Sequence, residues 1–281
     1  MEVADMQALT VWVRSLATLT VVLMGAVAVS AQPAATDPLA RARQLYNSGK
    51  YDEAITAVRD AAPHGAVEHE ANLLLGRALL ERHRASRTTE DLAGARAALW
   101  AVDASQLQDR GRLDLVVGLG EALYLDGQYR PAAALLEPVL EQMGQLSPAA
   151  REQVLDWWGT AMDRYAQTRP PDERVAIYDE ISARLRLHLA RYPDSSASSY
   201  WLPAAALARG DLELAWDLAQ AGWVRSTLAP DKGVALRTDL DRLVTQAIIP
   251  ERVKRLIDEP DSAAAAARFS SEWDEAKGRW K

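Results

Sequence analysis

The chain has 281 residues, no cysteine, a net charge of −7, and one phenylalanine beside nine tryptophans and eight tyrosines. Without cysteine there are no disulfide staples and no thiolate metal sites, and the negative balance argues against binding nucleic-acid phosphates. Ala and Leu dominate, and β-branched runs are almost absent beyond the apolar N-terminal stretch. This composition predicts an all-α protein held together by helix packing alone.

At the N-terminus, Arg14 precedes an apolar run from Ser15 to Ser30, and Val29-Ser30-Ala31 presents small residues where a signal peptidase reads. That order is the order of a secretory signal, residues 1–31, followed by a spacer at 32–37. Glu2 and Asp5 make the leading segment acidic unless translation begins at Met6. The run is about 16 residues, short of the ~20 of a comfortable span, so cleavage is expected in preference to an inner-membrane anchor. A cleaved chain would be periplasmic or secreted, with no stable membrane insertion.

Helical spacing then predicts a first helix from Pro38 to Ser48, with Ala42 and Leu45 inward, and a partner from Tyr51 to Ala62. Val67 to Arg84 carries Ala71, Leu74, Leu75, Ala78 and Leu79 on one face. An extended turn is expected from Arg82 to Thr89, after which Thr88–Asp91 caps a helix bearing Leu92, Ala95, Leu99 and Val102. A third pair has Val116, Leu119, Gly120 and Leu123 facing Tyr129, Ala132, Leu136 and Val139. A fourth begins after Ser147-Pro148 with Leu155, Trp158, Gly159 and Met162, and its second helix runs from beyond Asp172 to Arg191. A fifth uses Trp201, Leu202 and Ala206, then Leu212, Ala215, Trp216 and Ala219. Leu228–Gln246 reads as one helix or a broken pair, and Pro250 opens a short helix to Asp258. Asp261 or Ser262 caps a last, Ala-rich helix carrying Phe269, Trp273 and Trp280 near one face.

One short pattern returns three times: Gly49-Lys50-Tyr51-Asp52-Glu53-Ala54, Gly127-Gln128-Tyr129-Arg130-Pro131-Ala132 and Gly210-Asp211-Leu212-Glu213-Leu214-Ala215. Gly accepts the left-handed geometry that ends a helix, the large residue fills the gap, and Ala lets two backbones approach. Close-approach alanines are expected at Ala54, Ala95, Ala132, Ala176 and Ala215, roughly 40 residues apart. The layout resembles tetratricopeptide (TPR) repeats. In the third unit the resemblance rests on Leu119-Gly120, Leu123, Gly127, Tyr129, Ala132, Leu136 and Val139. In the first it rests on Ala42, Leu45, Gly49, Tyr51, Ala54, Val58 and Ala61. The second unit lacks the turn glycine. The resemblance implies a right-handed superhelical solenoid of antiparallel helix pairs over 38–225, with extra helices at 226–281 as its cap. It also implies a concave face, built mainly from first helices, that binds a protein or peptide and does no chemistry.

Candidates for chemistry are few. His64, Glu68, His69 and Glu70 are the nearest approach to a metal set, but Pro63 and Gly65 put His64 in a turn and His69 points away from Glu68. No nucleophile elbow and no phosphate loop occurs, and Asp172/Glu173 and Asp179/Glu180 read as helix caps and decoration. No catalytic residue, metal or cofactor is therefore expected. Trp100, Trp157, Trp158, Trp201, Trp216 and Trp223 either floor a groove or fill the core. Trp158 and Trp216 fall in core register, and Trp157 must face elsewhere. The expected partner-binding residues are Tyr46, Asn47, Trp157 and Arg164, all on first helices. The expectation is an exported binding scaffold of the bacterial periplasm or cell envelope. The alternative is self-association, or assembly into an envelope complex, through the aromatic C-terminal helix.

Overall fold

A computed structural model describes residues 37–61, 63–256 and 261–280. The expected signal and nearly all of the spacer lie outside them. The described residues form helices and no strands, as the composition predicts. In order they are α1 (Ala40–Asn47), α2 (Tyr51–Asp60), α3 (Ala66–Ser86), α4 (Thr89–Trp100), α5 (Asp109–Leu125), α6 (Tyr129–Leu140), α7 (Pro148–Gln167), α8 (Pro171–Arg191), α9 (Ser196–Ala208) and α10 (Leu212–Arg225). Then follow α11 (Val234–Leu243), α12 (Ile249–Lys254) and α13 (Ser262–Gly278).

The three copies of the Gly motif make the same turn. Gly49, Gly127 and Gly210 have φ of 73°, 75° and 80°. Each donates its N–H to the carbonyl three residues back, Tyr46, Tyr124 or Leu207, at 3.0, 3.0 and 2.8 Å. The next N–H, of Lys50, Gln128 or Asp211, reaches the carbonyl of Leu45, Leu123 or Ala206 at 3.0, 2.9 and 2.9 Å. Two otherwise unpaired helix carbonyls are satisfied each time, and the chain reverses at once.

The second pair reverses without glycine. Helix α3 runs on to Ser86, so the expected long turn is only Arg87 and Thr88. Arg87 takes the left-handed conformation itself, φ 59°, and its N–H reaches His83 O at 2.7 Å. Side chains hold this turn. His83 Nδ1–H donates to Thr88 O at 2.6 Å, and Thr88 Oγ1 donates to Asp91 Oδ2 at 2.8 Å. Asp91 also takes two bonds from the fork of Arg82, at 2.8 and 2.6 Å.

Within pairs, small residues set the spacing. Ala54, Ala95, Ala132 and Ala215 are wholly buried. Ala176 is not: it is exposed, and the inward register of α8 runs through Tyr178, Ile181, Ser182 and Leu185. A side chain on Gly76 would strike Leu99 at 2.6 Å, and one on Gly120 would strike Leu136 at 2.5 Å, so α3/α4 and α5/α6 touch almost backbone to side chain. Each second helix packs on the next first helix, and the first helices also touch in series: α1 on α3, α3 on α5, α5 on α7, α7 on α9, α9 on α11. The second helices make no comparably close series among themselves.

Packing continues through residue 225 without a break, because α10 touches both α11 and α13. Leu228 is exposed in a single 3-10 turn, Ser226–Leu228, so it is not part of the following helix as expected. That helix starts at Val234 and passes through a π-turn, Val244–Ile248, directly into α12, where Pro250 occupies the first turn. Asp261 caps α13 by accepting from Ala263 N and Ala264 N, both at 3.0 Å. Phe269 and Trp273 are buried against Trp216, with ring centroids 6.5 and 5.9 Å away, and Trp273 meets Trp223 at 5.6 Å. Trp273 Nε1–H and Lys277 Nζ both donate to Asp241, at 2.9 and 2.7 Å. Two of the three C-terminal aromatics are thereby buried against α10, while Trp280 is 58% exposed.

Candidate functional site

The first helices share one face whose side chains alternate between aromatic and charged. On α3 it carries Arg77, Glu81 and Arg84, at i, i+4 and i+7, a spacing that keeps all three on one side of the helix. Helix α5 contributes Asp114, Glu121 and Tyr124, and α7 contributes Trp157, Thr160 and Arg164. Tyr46, in the last turn of α1, and Tyr51, at the start of α2, complete it at one end, their rings 5.6 Å apart and edge to face.

The contacts form a chain across four helices. The Arg77 guanidinium lies 5.1 Å over the Tyr46 ring and donates to Asp114 Oδ2 at 3.2 Å. Arg84 donates to Glu81 Oε2 at 3.0 Å, approaches Glu121 Oε1 to 3.7 Å, and lies 5.6 Å over the Trp157 ring. Trp157 tilts against Tyr124, 6.4 Å between centroids, and Thr160 hydrogen-bonds the Tyr124 hydroxyl. Asp156, the residue before Trp157, accepts from Trp201 Nε1 at 3.0 Å and so ties α7 to α9. A cation over an aromatic ring gains about 0.5–2 kcal/mol, more as water is excluded, so these stacks fix the long side chains in place.

Burial alters the acid–base behaviour of this face. The Glu121 carboxyl is pushed up to about 8 by burial, and Glu81 adds to the shift, while Arg84 and Arg77 oppose it. The Tyr46 hydroxyl is raised above the usual phenol range, again chiefly by burial, with Arg77 opposing. Tyr124 moves the same way through burial and Asp156.

Of the four partner-binding candidates, Tyr46 meets Arg77 and Trp157 meets Arg84, both on α3, and half-buried Arg164 acts electrostatically on Tyr124. Asn47 is exposed at the end of α1, outside this network. Trp157, expected to face elsewhere, is buried in the core with Trp158, Trp201 and Trp216, whereas Trp100 ends a second helix and is 85% exposed, so the tryptophans do not form one floor. Sequence reasoning missed Arg77, Glu81, Arg84, Glu121 and Tyr124. The signal for Glu121 was its setting, a lone carboxyl inside Leu119-Gly120-Glu121-Ala122-Leu123.

The histidines are engaged in packing or turns. His64 is exposed in the turn before α3, and His69 Nδ1 accepts from Asp103 N at 3.1 Å. Among the described residues, no group of three or more His, Cys, Asp or Glu side chains converges as a metal set would. His188 is buried, bonded through Nδ1 to Ser198 Oγ at 3.0 Å and stacked 4.8 Å from Tyr192. Ser195, which donates to Ser198 Oγ at 3.1 Å, accepts from Ser198 N and caps α9, and both serines are wholly buried. A separate open cavity of 280 Å³ lies between the start of α10 and α12, where Arg252 is held between Trp216 and Phe269 at 4.5 and 4.4 Å. No described helix is long and apolar enough to cross a membrane. No protein-family model matches the chain, and comparison with curated proteins returns no match.

Proposed function

We propose that the chain is a TPR-like binding scaffold whose first helices line the inner, concave surface of a right-handed superhelix and hold an extended segment of another protein. The observation that carries this reading is the serial contact of first helices with one another, without a matching series among second helices. In a curved array the elements on the inner arc crowd together, and they form the recognition surface. The mixture of rings, guanidinium groups and carboxyls on that face supports the same reading, since Tyr, Trp and Arg are the side chains enriched where proteins bind proteins. Export to the periplasm or cell envelope rests on the apolar run before Ala31 and belongs to the proposal.

Selection of displayed random peptides of roughly a dozen residues on the immobilised protein tests it. Selected peptides should lose about tenfold or more in affinity on Arg164→Glu, on α7, and little on Arg59→Glu, exposed on α2. Equal loss in both variants, or peptides that ignore Arg164→Glu, would place recognition elsewhere.

A further inference from the structure

Glu121 is the residue of the first-helix face that its neighbours leave unsatisfied. It is 6% exposed in the middle of α5, next to Gly120, where the helix presses on Leu136 of α6. Its Oε1 atom is buried and accepts no hydrogen bond from any described residue. Buried polar atoms are nearly always paired, so an orphaned carboxyl oxygen requires a reason. The nearest cation, Arg84, stands 3.7 Å from Oε1, beyond hydrogen-bond reach, and its same Nη1 atom donates to Glu81 at 3.0 Å. Arg77, the other guanidinium acting on Glu121, donates to Asp114. One guanidinium thus stands between two carboxyl groups, and ionising both calls for a second cation. The surroundings suit a cation in another respect. Tyr46 from α1, Tyr51 from α2, Tyr124 from α5 and Trp157 from α7 are gathered around Arg77, Glu81 and Arg84, and aromatic faces attract positive charge.

We infer that this point of the face receives the ammonium of a lysine side chain on the bound segment, which donates to Glu121 Oε1 and to Glu81. The inference rests on the scaffold reading and supplies the chemistry of the segment held there. Arg84 and Glu81 each leave 25% of the side chain exposed, and the ammonium enters between them as Arg84 turns outward along Trp157. Glu121 is neutral before the guest arrives, held so by burial and Glu81 against Arg84 and Arg77. Forming the ion pair breaks its O–H bond and passes that proton to solvent. Lysine binding near neutral pH is therefore accompanied by proton release.

The test uses the full chain, carbon-13 labelled at the glutamate carboxyl carbons, with n-butylammonium chloride as the lysine side-chain mimic and sodium chloride at equal ionic strength as reference. The Glu121 signal is the one missing from Glu121→Gln, a variant that keeps the shape of the neutral carboxyl. In butylammonium that signal should titrate about one pH unit lower or more, saturably. Glu90→Gln, which removes a carboxylate at an exposed site on α4, should leave the shift intact. Identical titration of Glu121 in the two salts, or a shift abolished by Glu90→Gln, would overturn the inference. Neither result bears on the peptide selection read through Arg164, so the two failures are distinguishable.

Discussion

Gly120 and Leu136 face each other across α5 and α6 with no space for a methyl group between them: a Cβ at position 120 would stand 2.5 Å from Leu136 Cδ2 and 2.7 Å from its Cγ. Leu136 is wholly buried and cannot turn aside without displacing its own neighbours. Gly120→Ala gains up to about 1 kcal/mol of helix propensity, but overpacking of this kind costs about 1–3 kcal/mol. The expected net result is a loss of stability in urea unfolding. Leu136→Ala in the same chain should reverse the sign of the Gly120→Ala effect, because it opens the space the new methyl needs.

Arg87 offers the opposite case. It holds a left-handed backbone, φ 59°, at a helix end where three other turns use glycine. Non-glycine residues pay roughly 1 kcal/mol there, and Arg87 itself is exposed. Arg87→Gly should therefore raise stability by about 0.5–1 kcal/mol, read as a higher urea midpoint with an unchanged slope. A loss instead would mean that the Arg82–Asp91–Thr88 network, not the backbone, determines this turn.

These turns show how much of the fold can be read before any coordinates. A glycine at a helix end is a backbone requirement that few other residues meet, so Gly49, Gly127 and Gly210 announce their pairs. Asp261 announces a cap for the same local reason. Ala176 does not follow, because alanine is compatible with any face of a helix and the register of α8 is decided by Tyr178, Ile181 and Leu185 packing on other elements. The site is harder still. Tyr46 and Trp157 stand out as large rings on first helices, but whether Arg84 or Glu121 is solvated depends on which helices lie above it. That is a tertiary fact, and Glu121 becomes unusual only once α3 and α7 close over it.

The buried Glu121 makes stability fall as pH rises. Its folded carboxyl titrates near 8, against 4.5 in the unfolded chain. Between those values the unfolded state releases a proton that the folded state keeps, so each pH unit costs up to about 1.4 kcal/mol. Glu121→Gln should match the parent chain near pH 4.5 and melt at a higher temperature than the parent by pH 8. Thermal melts followed by circular dichroism across that range check it, and parallel curves for the two proteins would contradict it.

His188 acts from the other side. Burial, then Arg151 and Arg191, lower its folded value to about 4, from 6.5, with Asp194 opposing. Below 6.5 the unfolded chain takes up a proton that the folded chain refuses until about pH 4, so stability declines as pH falls through that window. His188→Gln should flatten the decline in melting temperature over the same range while leaving the neutral-pH melt lower, because its stack on Tyr192 is lost. A decline as steep as the parent's would assign the acid sensitivity to the carboxylates instead.

Through α11 each helix packs on its successor, and each first helix also touches the next first helix. The side-chain hydrogen bond from Arg184 to Glu137 joins residues 47 positions apart. A chain assembled from such short-range contacts can begin to order at several places independently, and the entropy of closing very long loops hardly slows it. It also comes apart by degrees. Among the described residues, helices in the middle are gripped from both sides and α1 has neighbours on one side only, so hydrogen exchange should run faster in α1 than in α5 and α7. The strip of rings and charges from Tyr46 to Arg164 spans that difference, with its Tyr46 end on a helix that opens more readily than α5 and α7.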